Sequence, residues 1–376
     1  MTYFIIAGEA SGDLHGSNLI TALKKKDHQA EVICFGGDLM EKAGGRIIRH
    51  YRELAYMGLI EVVKNFDKVI NNLKFSKQTL KNLQPDVLIL IDYPAFNLRM
   101  AKYAKQLSIP VFYYISPKIW AWKESRIKKI KACVDEMFVI FPFEVDFYQK
   151  HHHPVHFEGN PLVDKIDDKM ANTPSFHEFA MQNELSDDPI IALLPGSRQQ
   201  EIERIFPTML SIVNNYPEFQ FVVAATPFFN KAYYQSFIGD KPVKMVFNQT
   251  YELLHHSKAA IVTSGTATLE TALVGTPQVV CYATSKITFF IGQFFVHIKY
   301  FSLVNIILDK EAVKELLQRK FNTRVLMNEL DKIIYNKHTI DSMKQDYHKI
   351  RTLLGEPGAS ERIAGKMLQL LQYRNQ

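Results

Sequence analysis

The sequence predicts an α/β chain of two doubly wound parallel-sheet domains facing a cleft. Short runs rich in Val, Ile, Leu and Phe, such as TYFIIAG at 2–8 and DVLILIDYP at 86–94, are apolar on both faces. That is the pattern of parallel strands covered by helices on either side. Amphipathic stretches of helical period alternate with these runs. The alternation pauses at 151–190, where HHHPVHFEGNPLVDKI leads into a polar stretch, and then restarts.

The first half reads in order as strand TYFIIAG, helix SNLITALKKK and strand AEVICFGG, then strand DVLILIDYP and helix RMAKYAKQLS. Strand IPVFYYISP, a helix around 125–132 and strand DEMFVIFPF complete it. In the second half PIIALLPGSR, FQFVVAAT, VKMVFN, AAIVTSG and PQVVCYA repeat the strand pattern. The expected boundaries are 1–162 for the first domain and 163–342 for the second. Residues 343–376 are expected to be helices that pack back on the first domain or on a partner copy, a possible homodimer.

A chain of 376 residues with 47% hydrophobic and 22% charged residues supports two soluble cores. The net charge of +6 suits an anionic membrane face or an anionic small substrate. No dense basic helix interleaved with aromatics is present, so nucleic acid is not expected as a partner. Cys34, Cys133 and Cys281 are far apart and form neither a disulfide framework nor a metal spacing, which fits a reducing cytoplasm. The start MTYFIIAGEAS lacks the features of a signal peptide. HHHPVH at 151–156 is not expected to hold a metal, because adjacent histidines seldom converge on one ion.

Ligands of doubly wound sheets bind beyond the carboxyl ends of the strands, and the motifs lie there. AGEASGDLHG opens with Gly8, Gly12 and Gly16, four apart, yet carries Glu9 and Asp13 where a phosphate would lie. It also lacks the G-x-G-x-x-G of a dinucleotide dehydrogenase. In LILIDYPAFN, Asp92 ends a strand and is either a general base or a cap for the next helix. YYISPKIWAWKESRIKKI carries Trp120 and Trp122 beside Lys123, Arg126, Lys128 and Lys129. It is either a loop pinned by two apolar anchors or a wall for an apolar substrate with a basic fringe.

In the second half, LLPGSRQQEIER supplies Gly196, Ser197 and Arg198. Arg198 is either a fork for phosphate oxygens or a surface partner of Glu201. TSGTATLE supplies Ser264, Gly265, Thr266 and Thr268 at a helix start without an acid, a ready anion site, with Glu270 one turn on. Glu270 is placed to hold two ribose hydroxyls, or to cap its own helix. The apolar stretches 56–77 and 287–308 read as core-facing segments or as surfaces that dip into a membrane.

Taken together, AGEASGDLHG, ELAYMGLIEV, PDVLILIDYPAFN, YYISPKIWAW, LLPGSRQQEI, TSGTATLE and SLVNIILDKEAVKELLQ resemble, in order and spacing, the motifs of the lipid-A-disaccharide synthase family. The resemblance runs from about residue 3 to residue 320. It implies a glycosyltransferase of GT-B type, with two Rossmann-like domains, no metal and no cofactor. It implies UDP-2,3-diacylglucosamine as donor and 2,3-diacylglucosamine 1-phosphate as acceptor, joined β-1,6 with release of UDP. It also implies a peripheral place on the cytoplasmic face of the inner membrane. Asp92 matches the family's essential aspartate, and Asn305 in SLVN matches its asparagine near the nucleotide, although Val304 stands where other members often have Pro. On the acceptor side, Gly12 and its neighbouring glycines are expected to let a sugar or hydrocarbon chain approach. Glu9, Ser11 and Asp13 are expected to accept from sugar hydroxyls, unless Asp13 and Ser11 merely cap the following helix. The remaining alternatives are another UDP-sugar enzyme of this fold and a lipid- or nucleotide-binding protein without turnover.

Overall fold

The computed structural model describes residues 1–54, 66–284 and 299–374. Contacts divide the chain into two compact units, Met1–Pro161 joined by the chain from Leu354 onward, and Leu162–Leu353.

The first unit holds a seven-stranded sheet with every pairing parallel. Its strands are β1 (Thr2–Ala7), β2 (Glu31–Gly36), β3 (Arg46–His50), β4 (Val87–Ile91), β5 (Val111–Tyr114), β6 (Glu136–Val139) and β7 (His156–Phe157), in the order β3-β2-β1-β4-β5-β6-β7. Tyr3 to Ala7 and Val87 to Ile91 are buried without a break, as strands covered on both faces must be. The chain winds outward from β1 to β3, then returns to the other side of β1 with β4. This puts the topological switch point between β1 and β4, where Ala7 pairs with Ile91. Residues 8 and 92 therefore leave the sheet side by side.

The second unit repeats the plan in six parallel strands, β8 (Ile190–Leu194), β9 (Gln220–Ala225), β10 (Val243–Phe247), β11 (Ser257–Thr263), β12 (Gln278–Tyr282) and β13 (Lys314–Leu317). The order β10-β9-β8-β11-β12-β13 puts the switch point between β8 and β11. Three strands, β3, β7 and β13, lie outside the sequence reading. β3 and β7 are only partly buried, β7 has two residues, and β13 buries only Leu316 fully, so none shows an apolar run.

The C-terminal helix Ala359–Arg374 belongs to the first unit and packs along the helix Ala10–Lys26. Glu361 pairs with Lys25 at 2.7 Å, and Arg374 lies 3.4 Å from both Asp135 and Glu136. The preceding helix, Lys337–Leu354, lies in the second unit up to Leu353. Much of the two apolar stretches at 56–77 and 287–308 lies outside the described residues. Their remainders enter the helices Phe66–Leu83 and Leu303–Leu308. Among the described residues, no helix is long and apolar enough to cross a membrane.

Candidate functional site

At the switch point of the first unit, Asp92 follows β4 in a turn that few residues tolerate. Asp92 and Tyr93 have φ of 42° and 47°, both left-handed and neither glycine. Two such residues in succession store strain that the surroundings must over-determine. They do so with three hydrogen bonds. The Asn97 amide donates to the carbonyls of Ile91 (3.1 Å) and Asp92 (2.8 Å), and the Tyr113 hydroxyl donates to the Asp92 carbonyl (2.5 Å). Pro94 then starts the helix Pro94–Gln106 with its φ already set. The expected alternative for Asp92, a side-chain cap of this helix, is not what forms: Tyr93 is the N-cap and no side chain caps it.

Burial and the nearby charge of Glu9 push the Asp92 carboxyl up to about 6, while Lys118 and the Tyr93 N–H pull it back. A carboxyl poised there can take a proton near neutral pH. Lys118, just beyond β5, also lowers Glu144, whose burial otherwise dominates and lifts it to about 7. Glu144 accepts from the N–H groups of Ile140 (3.2 Å) and Phe141 (3.1 Å) and from the Trp120 indole (3.3 Å). Glu9, Asp92, Lys118 and Glu144 thus follow β1, β4, β5 and β6, four adjacent strands. The sequence reading passed over Lys118 and Glu144. Their signal was present: Lys118 stands four residues past its strand, and Glu144 occupies the third position of a helix capped at Phe141.

The glycine loop differs from its expectation. A Cβ on Gly8 would lie 2.3 Å from the Tyr93 ring, one on Gly12 3.1 Å from Ala7, and one on Gly16 2.7 Å from the Met40 sulfur. The loop's glycines admit side chains of the same unit, not a sugar or hydrocarbon chain. Asp13 is also not an acceptor-sugar ligand. It is 3% exposed, and its carboxylate accepts from the N–H groups of Gly37 (2.7 Å), Leu39 (3.1 Å) and Met40 (3.1 Å). Nor does it cap its own helix; it caps the next one, Asp38–Lys42. Ser11 donates to Glu9 at 3.0 Å, and both remain at the surface of the site. Trp120 is held edge-on to Phe143, with ring centroids 4.8 Å apart, while Trp122 is exposed beneath Lys123 and Arg126.

In the second unit, the loops after β8 and β11 flank the other switch point. Gly196 has φ 111°, and a Cβ there would meet the Glu201 carboxylate at 2.7 Å. The close approach that requires glycine is thus made by Glu201. That carboxylate accepts from the N–H groups of Ser197 and Arg198, both at 3.3 Å, and lies 3.8 Å from the exposed Arg198 guanidinium. Beyond β11, the helix Thr266–Val274 starts at Gly265 without a side-chain cap or an acid in its first turn. Gly265 and Thr266 are exposed.

Two of the hydroxyls expected to serve an anion are already committed. Ser264 donates to the Phe301 carbonyl (2.9 Å), and buried Thr268 donates to the Gly265 carbonyl (2.8 Å). The Phe301 ring stands 5.4 Å from that of Tyr282, whose hydroxyl feels both Glu201 and Arg198, so the two loops share this neighbourhood.

Glu270 is bonded to the Tyr251 hydroxyl, with Lys165 at 3.9 Å, and is not part of a capping box. Asn305 is not a direct nucleotide ligand. It is fully buried, donates to the Val313 carbonyl and the Glu315 carboxylate (both 2.8 Å), and accepts from Ala312 (2.8 Å) and Val313 (2.9 Å). Those bonds use both donors and both lone pairs of its amide. Glu315 also accepts from the N–H groups of Phe301 and Ser302, so Asn305 braces the segment that receives Ser264.

His151 and His156 turn to different partners, Glu124 and Glu136, each at 2.9 Å. Among the described residues, no three His, Cys, Asp or Glu side chains are grouped to hold a metal.

Comparison with known proteins places this arrangement. The family model for lipid-A-disaccharide synthetase matches residues 3–368. The lipid-A-disaccharide synthase of Geobacter metallireducens is 35% identical over 98% of this chain and 96% of its own. That of Syntrophus aciditrophicus is 36% identical over 98% and 97%, and that of Coxiella burnetii (strain Dugway 5J108-111) 35% over 96% of each. Among solved structures, the UDP-GlcNAc 2-epimerase from Neisseria meningitidis bound to UDP-GlcNAc superposes with a TM-score of 0.64 at 15% identity, covering 98% of this chain and 100% of that one. A putative UDP-N-acetylglucosamine 2-epimerase from Listeria monocytogenes gives 0.68 at 14%, covering 99% and 97%. The calicheamicin glycosyltransferase CalG4 gives 0.60 at 13%, covering 99% and 98%. At such identities these three share the fold alone, whereas the family match spans nearly the whole sequence: the chain belongs to the lipid-A-disaccharide synthase family of UDP-sugar glycosyltransferases.

Proposed function

We propose that this chain transfers 2,3-diacylglucosamine from UDP to the 6-hydroxyl of 2,3-diacylglucosamine 1-phosphate, with inversion, giving the β-1,6 disaccharide 1-phosphate and UDP. The observation that carries the mechanism is Asp92, a partly buried carboxyl lifted to about 6 at the switch-point end of β4. It takes the proton of the acceptor hydroxyl as oxygen attacks the anomeric carbon from the face opposite UDP. One base suffices, because no covalent intermediate is formed. Lys118 keeps a share of Asp92 ionised, and Glu9 and Ser11 accept from the acceptor's hydroxyls.

The second unit handles the leaving group. The Arg198 guanidinium and the uncapped helix start at Gly265–Thr266 take the charge that develops on the diphosphate. Glu270 holds the ribose. The Glu201 carboxylate now on the Ser197 and Arg198 N–H groups withdraws when phosphate oxygens arrive. The exposed Trp122 with Lys123 and Arg126 is suited to an anionic membrane surface, from which the acylated substrates are drawn.

The test is incubation with both acylated sugars and mass spectrometry of the products. A disaccharide 1-phosphate that forms only when donor and acceptor are both present supports the proposal. Donor consumed without acceptor, to give an epimer or free sugar, refutes it.

A further inference from the structure

The carboxylate assigned to the donor ribose has two attendants that no motif pointed to. Glu270 Oε1 accepts from the Tyr251 hydroxyl, and the same oxygen lies 3.9 Å from Lys165 Nζ. Lys165 Nζ also stands 5.0 Å over the Tyr251 ring. The three side chains come from three helices, Pro161–Ala171, Thr250–His256 and Thr266–Val274, and close a triangle. Tyr251 is only 8% exposed, so its hydroxyl depends on this acceptor for its partner.

A carboxylate accepts on two oxygens. Here both contacts converge on Oε1, which fixes the group's rotation and leaves Oε2 for another donor. Lys165 sets a positive charge beside this half-buried carboxylate. Its own ammonium is pulled down by burial and by Lys169, and held up by Glu270. Lys169 in turn lies 3.7 Å from Glu252.

We infer that Tyr251 and Lys165 are positioning residues for donor binding: they fix one oxygen of Glu270 so that the other accepts from the ribose hydroxyls. This rests on the reading of Glu270 as the ribose ligand. It makes the selectivity for a ribonucleotide a property of three helices rather than of one side chain.

The experiment is calorimetric titration of the full chain with UDP and with 2′,3′-dideoxy-UDP, which lacks both hydroxyls. Wild type, Glu270→Gln, Tyr251→Phe and Lys165→Met are compared. Tyr251→Phe keeps the ring and Lys165→Met keeps the stem, so each variant serves as a check on the other's folding, read by thermal melting. Loss of one hydrogen bond to a charged group corresponds to about tenfold. Tyr251→Phe and Lys165→Met are therefore expected to weaken UDP by about that factor, leave the dideoxy analogue unchanged, and leave kcat at saturating donor within about twofold. A merely structural role weakens both nucleotides alike, and that result overturns the inference. So does an unchanged ratio in Tyr251→Phe and Lys165→Met when Glu270→Gln abolishes it, although the ribose reading then stands. An unchanged ratio in Glu270→Gln itself removes the ribose reading, and this inference with it.

Discussion

The two units carry the same topology and opposite chemistry at their switch points. Beyond β1 and β4, the first unit gathers carboxyls, and its glycines are packed under side chains: Gly8 under Tyr93 and Gly16 under Met40. Beyond β8 and β11, the second unit presents an exposed guanidinium and an uncapped helix start, and open space surrounds the position of a Cβ on Gly265. A glycine at a strand end therefore has two uses that look alike in sequence. One makes room for the protein's own ring or sulfur. The other leaves backbone N–H groups open to a ligand. The difference tracks charge, because the packed loop carries acids and the open one carries none.

Asp92→Asn tests the acidic side hardest. Loss of a general base is expected to lower kcat by about 10²–10⁴-fold with the fold intact by circular dichroism. A variant of near wild-type rate removes Asp92 from the role. The pH dependence follows from the upward shift, from 3.8 to about 6. The base acts when ionised, so the wild-type rate is expected to climb as pH rises through about 6. Stability runs the other way. The folded chain binds this proton more tightly than the unfolded chain, so ionised Asp92 disfavours folding above about pH 6 and not below about pH 4. Asp92→Asn is therefore expected to be more stable than wild type at pH 8, by as much as about 2–3 kcal/mol, with the gap closing as pH falls through about 6 towards 4. Urea titrations at both pH values measure it.

Arg198→Ala is the matching test on the basic side. Removing one preformed stabiliser of a developing charge lowers kcat by about 10²–10³-fold. Because Arg198 is largely exposed and its ion-pair partner Glu201 also bonds to backbone, little change in melting temperature is expected. If activity survives while UDP binding weakens uniformly, the helix start alone manages the leaving group, and the contrast between the units loses its cation.

Much of this was legible because it is local. Continuous apolar runs revealed β1, β2, β4, β5, β6 and β8–β12, and Asp92 was marked by standing directly after one of them. Partly charged edge strands such as Arg46–His50 give no such run, which is why β3 escaped. The misread positions depend on partners remote in sequence. Asp13 meets N–H groups that begin 24 residues later, at Gly37. Gly8 meets Tyr93, whose ring is aimed by a left-handed turn that no propensity favours. Asn305 looked like a ligand because SLVN resembles the family's motif, yet residues 312–315, leading into β13, take all its bonds. Tyr251 and Lys165 are joined to Glu270 only through the tertiary fold.

The glycines give the finest test of the comparison. Gly8→Ala sets a methyl carbon 2.3 Å from the Tyr93 ring, so the ring or the strained turn beneath it must move. Overpacking of this kind costs about 1–3 kcal/mol. Because the turn that moves carries Asp92, kcat falls together with stability. Gly265→Ala meets nothing within 4 Å, and its φ of 161° is extended backbone that any residue adopts. Its effect on stability is expected to stay within about 0.5 kcal/mol. The added methyl instead stands over the helix start proposed for the diphosphate. Weakening one charge-assisted hydrogen bond to the charge that develops there is expected to lower kcat about tenfold. If Gly265→Ala instead unfolds the chain, or Gly8→Ala leaves it untouched, the two glycines have been assigned the wrong way round. The acid content of a strand-end loop would then no longer tell a packed glycine from an open one.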